Sequence, residues 1–153
     1  MEALAKFVAT AAYVGFAPVA PGTFGSMAGL AVYAAVRLSG SQTAEAAAIA
    51  VSLIAGLWSA GVVERMLGKD PGPVVIDEVL GMLVTLAFLD VNPIGAIVGF
   101  FLFRVLDVIK PFPAGRLEHL HGGAGIMLDD AMAGVYGNLL MRGLIALMPG
   151  VLA

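Results

Sequence analysis

The stretch DPGPVVIDEVLGMLVTLAFL, residues 70–89, has two adjacent carboxylates near the start of an otherwise apolar run. A run of this kind is predicted to form a helix packed among other apolar segments. Asp77 and Glu78 would then lie in surroundings where an unpaired charge is costly. The two side chains therefore predict a cationic partner.

The composition is that of a membrane protein. Hydrophobic residues make up 60% of the 153 residues and charged residues 12%, with a mean hydropathy of +0.98, whereas soluble domains have roughly 25% charged residues. The length predicts a single domain over residues 1–153. A net charge of -3 without a basic stripe argues against nucleic acid as a partner. The absence of cysteine excludes disulfides, thiolate metal sites and cysteine nucleophiles.

Apolar segments bounded by turn or charge signals are predicted to be helices: residues 3–16, 24–38, 44–63, 74–89, 94–109 and 131–148. Only 44–63 approaches the roughly 20 residues that cross a bilayer, and the others have about 16 residues, or about 24 Å of helix. The expected fold is all-α, a compact helical membrane bundle of about four to six helices, some short or partly in-plane. A soluble or half-inserted helical fold stays open as the alternative. The amino terminus lacks a positively charged start and is not expected to be a cleaved signal.

Small residues are spaced for close contact between helices. Gly25 and Gly29 lie four residues apart, as do Gly95 and Gly99, and such spacing lets helix backbones approach in lipid. The alternative for each pair is a glycine that the helix merely tolerates. Packing of this kind is compatible with a homodimer, but it does not fix the oligomeric state.

If the segments cross the membrane alternately, every polar motif falls on one face. Only two basic residues, Arg37 and Arg142, lie near the far face. The motif face has a larger basic set, consisting of Arg65, Lys69, Lys110 and Arg116. The positive-inside bias therefore predicts that the motif face lies in the cytoplasm.

The motif PVAPGTFGSMAG, residues 18–29, offers groups that suit a phosphate. Thr23 can cap a helix after the Pro-Gly turn, and the hydroxyls of Thr23 and Ser26 stand beside the exposed N–H groups of that helix start. The alternative is an ordinary capped helix without a ligand.

The motif FRVLDVIKPFP, residues 103–113, places three charges on one face of a helix. Arg104, Asp107 and Lys110 are three residues apart, and Pro111 ends the helix. A ladder in which the three charges satisfy one another is the alternative. Ionisable groups among apolar side chains in a membrane protein are nevertheless interpreted as a functional site unless another reason for them is found.

The motif HGGAGIMLDDAMAG, residues 121–134, is predicted to be a flexible glycine loop that delivers Asp129 and Asp130 to the start of the last helix. Helix capping explains one of these aspartates but not both. His121 adjoins the glycines and is the better placed of the two histidines to donate a proton, although a solvated loop histidine is the default.

Carboxylates from three segments thus converge on one face: Asp77, Glu78, Asp107, Asp129 and Asp130. Oxygen ligands without cysteine favour Mg²⁺, Mn²⁺ or Ca²⁺ over zinc. The predicted partner of the carboxylates is therefore a divalent cation, with phosphate as a second guest.

Together, APGTFGSMAG, DPGPVVIDEVLGM, FRVLDVIKPFP and HGGAGIMLDDAMAG resemble the phosphatidylglycerophosphatase A family of bacterial membrane enzymes, in order and spacing across nearly all of residues 16–137. The resemblance implies a Mg²⁺-dependent phosphatase of the inner membrane that converts the phospholipid phosphatidylglycerophosphate to phosphatidylglycerol and inorganic phosphate.

On this basis the sequence predicts site residues with three roles. The metal ligands are Asp77, Glu78, Asp129 and Asp130. The phosphate-binding residues are Thr23, Ser26, Arg104 and Lys110. The catalytic residues are Asp77, Asp107, Asp130 and His121. Water activated by the metal is the expected nucleophile, with an aspartate nucleophile as the alternative. A small membrane cation transporter built on clustered carboxylates is the competing function.

Overall fold

Helices form all the regular structure in the computed structural model, which describes residues 1–153 and has no strand. In chain order they are α1 (Glu2–Ala9), α2 (Pro21–Arg37), α3 (Gln42–Leu67), α4 (Ile76–Thr85), α5 (Pro93–Ile109), α6 (Ala114–Leu117), α7 (Gly123–Leu147) and α8 (Pro149–Leu152), with a 3-10 turn at Val14–Phe16. Six of these helices have eight residues or more. The predicted all-α bundle with some short helices is confirmed.

The helix boundaries follow from local capping chemistry. The Ser41 hydroxyl accepts a hydrogen bond from the N–H of Ala44 at the start of α3, and the Asn92 side chain accepts one from the N–H of Gly95 at the start of α5. Both residue types are favoured caps because they satisfy N–H groups that have no partner inside the helix. At the other end of α5, Lys110 adopts a left-handed conformation just before Pro111, and the helix stops there.

The ten-residue helix α4 lies at the centre of the bundle, packed against α2, α3, α5 and α7. It is surrounded on nearly every side, and its buried residues include Val79, Leu80, Met82 and Leu83. This explains why residues 74–89 read as a continuous apolar run, since a helix without a solvent face needs no polar stripe.

Glycines let α4 approach its neighbours. A β-carbon on Gly25 would lie 2.7 Å from Val75 Cβ, and one on Gly29 would lie 2.8 Å from Met82 Cβ. On the α7 side, a β-carbon on Gly134 would lie 2.6 Å from the carbonyl oxygen of Gly81. These distances leave no room for a side chain, so the predicted close helix contact at Gly25 and Gly29 is confirmed.

Asn138 of α7 holds the end of α4. Its side-chain amide donates hydrogen bonds to the carbonyl oxygens of Val84, Thr85 and Ala87, at 3.2, 3.1 and 3.0 Å. Because the last carbonyls of a helix have no partner within it, this side chain replaces the water that would otherwise solvate them.

The polar end of the molecule differs from the sequence prediction in two places. Residues 123–130 are not a flexible loop, because α7 begins at Gly123 and carries Asp129 and Asp130 in its second turn. Gly123 packs against the backbone of α3, where a β-carbon would lie 2.0 Å from the carbonyl oxygen of Leu57. Thr23 caps no helix, because α2 already begins at Pro21, with Ala20 as its N-cap residue.

An ion-pair cluster ties the helices together at the opposite end. Arg37 contacts Glu45 at 3.2 Å and Asp90 at 2.5 Å. The other carboxylate oxygen of Glu45 accepts a hydrogen bond from the N–H of Phe88 at 2.8 Å. The cluster therefore joins the end of α2 and the start of α3 to the turn that follows α4.

The outer surface of the bundle is largely apolar. On α5, for example, Ile97, Phe101, Val105 and Val108 are all exposed and recur at helical spacing. One helix, α3, is long and apolar enough to cross a bilayer. A contiguous exposed apolar surface of this kind marks contact with a membrane or another protein.

Candidate active site

Three carboxylates from two helices meet at one end of the bundle. Asp77 and Glu78 lie in the first turn of α4, and Asp130 lies in the second turn of α7. One oxygen from each lies within 4.8 Å of the others. The close packing of α4 on α7 produces this meeting, because it brings the two helix turns side by side.

Each of these carboxylates, and Asp129 beside them, has one buried oxygen that lacks a hydrogen-bond partner in the protein. Four shielded oxygens have no hydrogen-bond partner: Asp77 Oδ1, Glu78 Oε2, Asp129 Oδ1 and Asp130 Oδ2. An unpaired buried charge is strongly destabilising, and several together repel one another. The donors are all oxygens, and both histidines are exposed. The site therefore fits a hard divalent cation such as Mg²⁺, Mn²⁺ or Ca²⁺.

Arg104 links α5 to this cluster. Its guanidinium contacts a carboxylate oxygen of Asp107 at 2.6 Å and Glu78 Oε1 at 4.0 Å, and it donates a hydrogen bond to the hydroxyl of Ser26 at 3.3 Å. Ser26 in turn donates to the carbonyl oxygen of Gly22 at 2.9 Å. Asp107 and Ser26 thus hold the guanidinium beside the carboxylates.

Lys110 is the second cation beside the cluster. Its ammonium contacts Asp129 at 2.7 Å and Glu118 at 3.4 Å. Burial acts to lower the pKa of Lys110, but the hydrogen bond with Asp129 and the charges of Asp129 and Glu118 outweigh it and raise the pKa above its ordinary value. Lys110 is therefore a permanent cation. The predicted ladder within α5 exists for Arg104 and Asp107 but does not extend to Lys110.

A cavity of about 200 Å³ opens over the cluster. All four sequence motifs contribute to its lining, which includes Pro21, Gly22, Asp77, Glu78, Asp107, Lys110, Asp129 and Asp130. The N-terminus of α2 reaches the cavity through Pro21 and Gly22. A β-carbon on Gly22 would lie 2.3 Å from Glu78 Oε1, so a side chain at this position would displace that carboxylate.

The predicted phosphate-binding and proton-donating residues lie at different distances from the cavity. Ser26 and Arg104 do not line the cavity themselves, but they are hydrogen-bonded to each other and contact the lining residues Gly22, Glu78 and Asp107. Thr23 and His121 are not among the lining residues, and His121 is exposed. The roles proposed for Thr23 and His121 stay predictions.

The cavity also has charged lining residues that were not predicted to belong to the site: Glu64, Lys69, Asp70 and Glu118. Asp70 precedes Pro71 in a turn and reads as an ordinary loop carboxylate. Glu64 lies near the end of α3. Its charge, which follows a long apolar stretch, was the feature of the sequence that could have indicated a place at the polar end of the bundle.

The site defines a class of protein, a helical bundle in which a buried carboxylate cluster that could hold a cation lies beside two fixed cations. Comparison with known proteins then gives the family. The family model for phosphatidylglycerophosphatase A matches residues 7–145. The chain belongs to this family of phosphoric monoester hydrolases, and the resemblance predicted from the motifs is confirmed.

Curated relatives agree with the family match. The chain is 34% identical over 124 residues to phosphatidylglycerophosphatase A of Escherichia coli, covering 79% of this chain and 72% of that protein. It is 32% identical over 120 residues to the Haemophilus influenzae protein of the same name, covering 76% and 74%. A Bacteroides thetaiotaomicron protein, named as a candidate phosphatidylinositol-3-phosphatase, is 35% identical over 134 residues, covering 83% and 84%. No solved structure matches the chain significantly.

Proposed function

We propose that this protein is a Mg²⁺-dependent phosphatidylglycerophosphatase. It removes the terminal phosphate of phosphatidylglycerophosphate and yields phosphatidylglycerol and inorganic phosphate. The observation that carries the proposal is the cluster of Asp77, Glu78 and Asp130, which has ligand oxygens within 4.8 Å of one another and unpartnered buried oxygens, in a member of this phosphatase family.

The carboxylates have the task of holding the cation. Asp77, Glu78 and Asp130 are the proposed ligands, and Asp129 adds its free oxygen from the same turn of α7. When bound, Mg²⁺ supplies Lewis-acid polarisation of the phosphate and a water of lowered pKa. A residue that orients a ligand matters as well, because Lys110 pairs with the other oxygen of Asp129 and so fixes the direction of its carboxylate.

The two cations act on the transferred phosphate. Arg104 and Lys110 neutralise charge on the phosphate oxygens, and guanidinium and ammonium groups form strong charge-assisted hydrogen bonds with phosphate. Asp107 is a positioning residue, since its 2.6 Å contact fixes the guanidinium of Arg104. Ser26 supports the same guanidinium from α2.

We place the protein in the bacterial inner membrane, with the site facing the cytoplasm. The apolar outer surface and the length of α3 support a membrane location. The charge bias supports the orientation, because Arg65 and Lys69 follow the apolar part of α3 at the site end. The lipid acyl chains stay in the bilayer while the headgroup enters the cavity.

A cation transporter is the less favoured function. Transport through a bundle needs polar groups spread along the path of the ion. The unpartnered carboxylates instead lie at one end, and Glu45 at the other end is already paired with Arg37.

The Bacteroides relative raises a second candidate substrate, phosphatidylinositol 3-phosphate. This lipid and phosphatidylglycerophosphate share their chemistry, because each has a phosphate monoester on a headgroup that a phosphodiester joins to the lipid. The substrate test therefore includes both lipids.

The experiment measures phosphate released by the purified protein in detergent micelles, with Mg²⁺ and with EDTA, from these two lipids and from phosphatidic acid. We expect Mg²⁺-dependent release, fastest from phosphatidylglycerophosphate. Faster release from phosphatidylinositol 3-phosphate would overturn the substrate, and equal release in EDTA would overturn the metal requirement.

Variants connect the reaction to the cluster. Asp77→Ala and Asp130→Ala are expected to lose turnover while keeping the helical circular dichroism spectrum of the wild type. Asp90→Ala is the matched control, because that carboxylate is 95% exposed at the opposite end. Wild-type turnover in either cluster variant would refute the assignment of the site.

A further inference from the structure

Two cations line the cavity, and they differ in their partners. Lys110 is already paired with Asp129 and Glu118. Lys69 takes part in none of the six ion pairs of the chain, and its ammonium has no hydrogen-bond partner in the protein. Among the lining residues, Lys69 is therefore the cation whose charge no carboxylate of the protein compensates.

The backbone holds Lys69 over the cavity. Gly68 ends α3 with a φ of 98°, and Asp70 has a φ of 45°. Positive φ angles on both sides of Lys69 bend the chain sharply after the helix, which places Lys69, Asp70 and Gly72 in the lining. The bend is therefore the reason that an exposed residue beyond the end of α3 belongs to the cavity.

Depth separates Lys69 from the carboxylate cluster. Asp129 and Asp130 are buried, with 4% and 3% of their surface exposed, whereas Lys69 is exposed. The carboxylates thus form the floor of the cavity, and Lys69 stands at its mouth. An anionic ligand that fills the cavity from floor to mouth would meet positive charge at two separate levels.

We propose that Lys69 binds the phosphodiester of the lipid substrate and selects lipids that have one. This inference rests on the proposed function, in which the terminal phosphate goes to the floor. The remaining negative charge of phosphatidylglycerophosphate is the single charge of its phosphodiester, which stays nearer the lipid and thus nearer the mouth. The other exposed charged residue of the lining is Asp70, a carboxylate that repels it. A compact ammonium matches one such charge.

The two halves of the substrate are the probes. Phosphatidylglycerol keeps the phosphodiester and lacks the terminal phosphate, whereas inorganic phosphate represents the terminal group alone. For Lys69→Gln, we expect the KM for phosphatidylglycerophosphate and the inhibition constant of phosphatidylglycerol to rise about three- to tenfold, as for the loss of one partly exposed charge pair. The kcat and the inhibition constant of inorganic phosphate should stay unchanged.

Matched variants separate this role from a general effect of charge. Lys69→Arg is expected to keep the wild-type constants, because it keeps the cation. Arg65→Gln removes an exposed cation from the same end of the bundle that does not line the cavity, and it should change neither inhibition constant.

The outcomes distinguish the two proposals. If Lys69→Gln leaves the phosphatidylglycerol constant unchanged, or raises both inhibition constants equally, the assignment of Lys69 is refuted while the proposed function stands. If the wild type releases no phosphate from phosphatidylglycerophosphate, the proposed function fails, and the assignment of Lys69 fails with it.

Discussion

Replacing Asp130 with asparagine is expected to stabilise the metal-free protein and to inactivate the enzyme. Asp130 is 3% exposed and lies with Asp77 and Glu78 in a cluster whose ligand oxygens are within 4.8 Å of one another. Two unit charges at that distance repel by about 3.5 kcal/mol at an effective dielectric constant of about 20. Asparagine keeps the shape of the side chain and removes the charge.

The net gain in stability is smaller than the sum of the two repulsions of Asp130 by Asp77 and Glu78. The reason is that the wild-type cluster reduces its electrostatic repulsion by binding protons. In EDTA we therefore expect the free energy of unfolding of Asp130→Asn to exceed that of the wild type by about 1–3 kcal/mol. For a chain of this size, each kcal/mol corresponds to about 2–4 °C in Tm.

Magnesium is expected to reverse the difference. A ligand at a hundredfold excess over its Kd stabilises the state that binds it by about 2.7 kcal/mol. The wild type should gain this stabilisation, and Asp130→Asn should lose most of it together with phosphatase activity. Thermal unfolding in detergent, followed by far-UV circular dichroism with Mg²⁺ and with EDTA, measures both effects.

Asp90→Asn is the control, because Asp90 is 95% exposed and its pair with Arg37 contributes less than about 1 kcal/mol. The reasoning would be refuted if Asp130→Asn were less stable than the wild type in EDTA. It would also be refuted if Mg²⁺ raised the Tm of both proteins equally.

Three further substitutions test the fold by the same unfolding measurement. Gly134→Ala should cost about 1–3 kcal/mol, because its β-carbon would lie 2.6 Å from a carbonyl oxygen of α4 that cannot move aside. Asn138→Ala should cost about 1–3 kcal/mol, because three carbonyl oxygens at the end of α4 lose their donor. Glu45→Gln should also cost about 1–3 kcal/mol by breaking the ion pair with Arg37, and kcat should stay unchanged because the pair lies opposite the active site.

The glycine substitution has a reference within the same helix. Gly143→Ala adds a β-carbon where nothing lies within 4 Å, and it should be neutral or stabilising by up to about 1 kcal/mol. A Gly134→Ala protein as stable as Gly143→Ala would contradict the close contact of α4 and α7. For Glu45→Gln, a fall in kcat without loss of stability would show that the distant ion-pair cluster communicates with the site.

The sequence predicted the segments and the convergence of the motifs because both depend on patterns along the chain. Apolar runs identified the helices, and charges at their ends identified the polar face of the bundle. The start of α7 was mispredicted because glycines usually interrupt helices. Gly123 is helical here and leaves the space that α3 needs for its close approach, and such a contact between distant segments is invisible in one sequence.

The convergence of the carboxylates and cations was predicted from the sequence, and the way in which they pair was not. The sequence indicates that Lys110 shares a helix face with Arg104 and Asp107, but α6 and α7 bring Glu118 and Asp129 nearer to its ammonium. Asn138 gave no signal at all, since a single amide in an apolar helix is equally compatible with a lipid-facing, buried or capping position.

The backbone contact between α4 and α7 also bears on which ion the site accepts. Gly81 follows Glu78 by three residues, and a β-carbon there would lie 3.0 Å from the carbonyl oxygen of Asp130. The spacing of the two backbones that carry this carboxylate cage is thus fixed by main-chain atoms, which cannot rotate aside as side chains do. A stiff cage discriminates by ionic radius, since Mg²⁺ binds oxygen at about 2.0–2.1 Å and Ca²⁺ at about 2.3–2.6 Å. We expect phosphate release to be much slower with Ca²⁺ than with Mg²⁺. Equal activation by both ions would show that α4 and α7 can move apart.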